Sequence, residues 1–144
     1  MNGRTLSIFS FLVLLLLLAS LLLSTSCDGL LPDINTPLGQ QSMLEPGQAV
    51  LVTDEQLSIR FKEVLNDSRC PTGVTCIWAG QIACLLEVTY QDTPNDLVIT
   101  EMGSGPGTAD FNGYTFAFNV QPYPQAGKTI NSSDYRLMLT VNRS

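Results

Sequence analysis

The chain has 144 residues, no histidine, and thirteen acids against seven bases, for a formal charge of −6. That length accommodates one folded core and a leader, with no room for a second domain. The acidic balance argues against nucleic acid as a partner, and the missing imidazole removes Ser-His-Asp and Cys-His mechanisms.

The first residues read as a targeting segment. Arg4 supplies a weakly positive start, and Leu6 to Leu23 is almost uninterrupted apolar sequence. Ser24-Thr25-Ser26 then precedes Cys27. Small residues before a cysteine suit a cut after Ser26, giving a signal peptide over 1–26 and a lipid anchor on Cys27. The lipoprotein pattern usually has Leu three places before the cysteine, and here Ser24 stands there. Secretion with an unlipidated Cys27 is the alternative, and an uncleaved anchor the third, since an apolar run of about 18 residues approaches the length that spans a bilayer. Beyond the leader, thirteen acids face six bases, a formal charge of −7. These acids are scattered, as on a solvated surface.

Residues 27–37 carry two prolines and a glycine without periodicity, and read as a tether. Its ten residues after Cys27 would reach at most about 35 Å, enough to hold a domain clear of the lipid headgroups. From Leu38 to Ser144 the pattern is β throughout. Glu45-Pro46-Gly47 forms a turn between strands near 39–44 and 48–53. Leu57, Ile59 and Phe61 alternate with Ser58, Arg60 and Lys62, as in a strand buried on one face.

The stretch Asn66 to Gly80 follows, with two closely spaced cysteines and the only tryptophan. A Cys70–Cys76 disulfide is expected there, because an extracytoplasmic domain favours disulfides over a thiolate metal site. Trp78 shares parity with Ile82, Cys84, Leu86 and Val88, so it is expected in the core unless Gly80 introduces a bulge. Cys84 on that face reads as an inert buried thiol, with a bond to Cys27 or another pairing as the alternative. A short strand covers 97–101, and the glycine-rich 103–107 is a loop without the lysine of a phosphate-binding motif. Asn112-Gly113 marks a hairpin. Tyr114, Phe116, Phe118 and Val120 share one face, Pro122-Tyr123-Pro124 ends that strand, and Tyr135, Leu137, Leu139 and Val141 form the last apolar face. About seven strands at short spacing imply an antiparallel sandwich, with a small barrel as the alternative.

Asp67-Ser68-Arg69-Cys70-Pro71, Cys76-Ile77-Trp78-Ala79-Gly80, Pro122-Tyr123-Pro124 and Tyr135 together resemble a family of small bacterial lipoproteins or secreted proteins of uncharacterised function. The resemblance covers roughly 38–141. No catalytic residues come with it, and the residues themselves give no reason to expect a cofactor or a metal, since Cys70, Cys76 and Cys84 offer neither a CxxC pair nor a fourth ligand. The expected function is a non-catalytic binding or structural module at the cell envelope, tethered through lipid on Cys27 or secreted. Its partner would be an envelope protein or a glycan, met through Thr72, Val74 or Tyr123. A second possibility is an inhibitor presenting the disulfide-closed loop 70–76, preorganised for binding. A third is a hydrolase built on carboxylates such as Asp54/Glu55 or Asp92/Asp96, although these lie in turn-like sequence where Asp serves local hydrogen bonds.

Overall fold

The computed structural model describes residues 33–144; the signal-peptide and Cys27 expectations lie outside the described residues. The described chain is two packed sheets that do not close into a barrel, as expected for a sandwich. It has nine strands where about seven were expected.

Sheet A contains β1 (Ile34–Thr36), β3 (Ala49–Val52), β4 (Leu57–Asp67), β5 (Gln81–Tyr90) and β6 (Thr93–Met102), in that spatial order. Sheet B runs β2 (Gln41–Leu44), β9 (Arg136–Arg143), β8 (Tyr114–Gln121), β7 (Gly107–Phe111). All pairings are antiparallel except β1 with β3. Thus β1 takes the last part of the expected tether, because Ile34 and Thr36 bury against the sheet and their backbone finds Val50 to Val52.

Alternation decides the core. Ile59 and Phe61 on β4, Ile82 and Leu86 on β5, Phe116 and Phe118 on β8, and Leu137 and Leu139 on β9 are all buried, as their parity requires. Among the described residues the buried apolar core runs from Leu44 to Val141, with Ile34 and Leu38 packed against it. Cys84 is a free, buried thiol among these side chains, and burial pushes it up to about 12.

Trp78 departs from the expectation: it is 62% exposed. Ile82, Cys84, Leu86 and Val88 face inward as the parity of β5 requires, but the strand begins only at Gln81. Gly80 takes φ +71° and turns the chain before it, so the face that continues inward at Ile82 does not extend back to Trp78. The remaining difference is β6, which starts at Thr93 rather than near Leu97. The two-residue turn Gln91-Asp92, with positive φ at both positions, joins it directly to β5. Pro94 is tolerated because β6 is an edge strand.

Candidate functional site

The two ends of the sandwich differ in construction. At one end sit tight connections: Asp54, Gln91-Asp92 and Asn112-Gly113, all in left-handed backbone conformations. At the other end three longer segments meet, namely 68–80 between β4 and β5, 103–106 between β6 and β7, and 122–135 between β8 and β9.

Segments 68–80 and 122–135 converge on Arg69, a fully buried guanidinium, and 103–106 joins them through Gly103 N, which donates to Gly80 O. Asp67, at the end of β4, accepts from Arg69 Nε at 2.9 Å and Nη2 at 2.7 Å, a two-point fork. Arg69 Nη1 donates to the Val120 carbonyl at 2.7 Å, and Nη2 to that of Pro122 at 3.0 Å. The second carboxylate near it is Glu101, 3.8 Å from Nη1 and itself fully buried. Glu101 accepts from the Val120 amide at 2.8 Å and from Asn119 Nδ2 at 3.1 Å. The Tyr135 hydroxyl donates to Asp67 Oδ2 at 3.2 Å, and the Tyr123 ring lies 5.0 Å below the guanidinium carbon. One arginine therefore ties strands of both sheets and the Gln121–Pro122 segment, whose peptide bond is cis.

The charges divide unequally. Burial raises Asp67, but the Arg69 hydrogen bonds and charge, with Tyr135, outweigh it and hold its carboxyl below the ordinary value. At Glu101 burial prevails over its bonds, and the carboxyl titrates above the ordinary value. Burial likewise pushes the Tyr135 phenol up to about 12.

Above this cluster lies the cysteine loop. Cys70 and Cys76 are disulfide-bonded, with Cα atoms 5.9 Å apart. Closing so small a ring removes about 2 kcal/mol of unfolded-chain freedom on the entropy model. Further braces are backbone bonds: Ser68 N to Gln81 O at 2.8 Å, Cys70 N to Ala79 O at 2.9 Å, Thr72 N to Pro124 O at 2.9 Å and Ala126 N to Thr72 O at 3.1 Å. Gly80 is required where the returning chain crosses Ser68, since a Cβ there would collide with the Ser68 carbonyl. The loop thus has a fixed backbone and exposed side chains: Val74 is half in solvent, Trp78 more so, and Ile77 completely, at 107%.

Of the expected site residues, Thr72 and Val74 are exposed on this loop. Tyr123 is half-buried beside it, one ring face taken by Arg69, and lines a shallow groove of about 240 Å³ with Gln125, Lys128, Ile130 and Asp134. The structure brings these together through the Thr72–Gln125 bridge. The carboxylate pairs are placed differently. Asp54 and Asp92 hold turns, Asp96 pairs with Lys62 at 3.1 Å, and Glu55 accepts from Tyr114 Oη and Arg143 Nη2, both at 2.6 Å. Among the described residues no three of His, Cys, Asp and Glu are grouped to hold a metal ion.

Sequence reasoning missed Ile77 and the partnership of Arg69 with Glu101. A signal existed for Glu101: it shares parity with Ile99, on the buried face of β6. No family model, curated protein or solved structure matches the chain.

Proposed function

We propose that this protein is a non-catalytic β-sandwich module, lipid-anchored through Cys27 outside the cytoplasm or secreted, that binds a component of the cell envelope through its cysteine-loop end. We place it with the small lipoproteins and secreted proteins that its Asp67–Pro71 and Cys76–Gly80 stretches resemble. One observation carries the reading: Ile77 and Trp78 stand in solvent on a loop braced by a disulfide, four backbone bonds and a buried arginine. Large apolar side chains on a rigid support lose little freedom on binding, so their burial is retained as affinity. The ionisable groups of this end support a scaffold role rather than catalysis, because Glu101 is sealed from substrate and Asp67 and Arg69 saturate each other.

The exposed Thr72-Gly73-Val74 tip, held through Thr72 to Pro124, favours an inhibitor as the second reading. Co-sedimentation of residues 28–144 with isolated envelopes separates the two. In the module, Ile77→Ser with Trp78→Ala lowers binding at least about tenfold, the equivalent of 1.4 kcal/mol, with Tm unchanged, while Thr72→Ala with Val74→Ala has little effect. In an inhibitor the Thr72/Val74 pair carries the loss. Retained binding by both double variants would refute any role for the loop.

A further inference from the structure

Three stretches of the loop end carry no charge. Cys70 to Gly80, Met102 to Gly107 and Gln121 to Gly127 contain no Asp, Glu, Lys or Arg, although the mature chain carries thirteen acids and six bases. Besides the Asp67, Arg69 and Glu101 cluster beneath, the charges of this end are Lys128, Asp134 and the Glu45–Arg136 ion pair. Met102, also exposed, adds apolar surface beside the loop, where Gly103 N donates to Gly80 O at 3.0 Å.

Strand direction relates this end to the chain entry. β4 runs toward the loop end, finishing with Asp67 beside Ile82. β3 is antiparallel to β4, and β1 is parallel to β3, so β1 runs away from the loop end and its first residue faces it. Ile34 lies level with Val50, Ile59 and Val88. From Val88 to Ile82 the strand covers about 20 Å. Between Cys27 and Ile34 stand only Asp28 to Asp33, and these seven residue steps reach at most about 25 Å in any conformation, little more than the distance back to the level of Ile82. Because β1 takes Ile34 to Thr36, the tether cannot hold the domain clear of the headgroups, as ten residues would have done.

We propose that the loop end rests on the lipid bilayer that holds Cys27, with Ile77 and Trp78 entering the boundary between headgroups and acyl chains. This deepens the module reading and rests on the Cys27 anchor. A tryptophan with an apolar body and one N–H donor suits that boundary, and the absence of loop charge avoids the cost of desolvating ions there. The acidic remainder of the domain makes zwitterionic lipid the favoured surface, since anionic lipid repels it.

Trp78 is the only tryptophan, so its emission reports this contact alone. Chain 27–144, which retains every described residue, can be coupled through Cys27 to a maleimide lipid. Cys84 is buried with a thiol shifted up to about 12, and Cys70 and Cys76 are bonded, so coupling is selective. On phosphatidylcholine vesicles with brominated acyl chains, Trp78 emission should shift to the blue and lose intensity. Ile77→Ser should weaken both changes. Emission equal to that of the uncoupled chain in buffer overturns the inference, as does equal quenching by wild type and Ile77→Ser. Envelope binding that persists with Trp78 unquenched by lipid also overturns it and makes this end a protein interface. Mass of the chain extracted from its native membrane tests the anchor separately: an unlipidated Cys27 sinks the anchored reading whatever the coupled vesicles show.

Discussion

The two ends of the sandwich solve the same problem, returning the chain from one strand to the next, by different physics. At the hairpin end the return is local. Asn112 and Gly113 take φ +46° and +81°, Gln91 and Asp92 take +48° and +60°, and each pair closes its own two strands. At the loop end, Arg69 bonds to carbonyls some fifty residues away, and Thr72 to Pro124. Local turns leave little surface to vary, whereas long segments fixed by a buried hub can present side chains outward without losing position. That explains how Ile77 and Trp78 can stand in solvent on a defined backbone.

The strongest way to break the difference is to remove the hub. Arg69→Met keeps most of the buried stem but leaves Asp67 and Glu101 without their cation. Removing one member of a buried ionic group costs about 3 to 5 kcal/mol, so urea denaturation should show a loss of that size. A loss below about 1 kcal/mol would mean that the disulfide and backbone bonds hold the end unaided.

The same cluster gives the loop end a pH signature. Glu101 titrates above its ordinary value when folded, so on descending from neutral pH the folded chain takes up this proton before the unfolded chain does, and stability rises toward about pH 4.3. Asp67 titrates below its ordinary value, so its contribution is present above about pH 3.9 and disappears as pH falls through its folded value. Thermal melts of wild type and Glu101→Gln between pH 7 and pH 2 should therefore differ mainly in the mildly acidic rise, which the glutamine lacks. Identical profiles would show that Glu101 titrates normally.

How much of this was legible follows the same division. The hairpin end and the core were readable because their signals are local: Asn112-Gly113 has the chemistry of its turn, and alternation at Phe116, Phe118, Leu137 and Leu139 has one buried solution. Gln91-Asp92 was less visible, because glutamine carries no preference for positive φ. The loop end resisted because its determinants are distant in sequence. Nothing near Arg69 announces that Val120 and Pro122 receive its protons, and Trp78 followed the strand parity until Gly80 turned the chain. The disulfide was legible from the spacing of Cys70 and Cys76 within a turn-rich stretch, but what it presents was not.

The smallest expected effect sharpens the comparison through glycine. At Gly80 an added Cβ would collide with the Ser68 backbone, so the left-handed conformation and the close approach act together, and neither neighbour can yield without disturbing Arg69. Gly113 has a similar φ of +81°, yet no atom lies within 4 Å of where its Cβ would be. Gly113→Ala should therefore cost only the backbone penalty of a side chain in that region, about 1 kcal/mol. Chemical denaturation measures this directly, and lipid quenching of Trp78 should be unchanged, because the two ends share no loop. A cost at Gly113 approaching that of losing Arg69 would show that the hairpin end, too, depends on long-range contacts, and the proposed division between local and distant construction would fail.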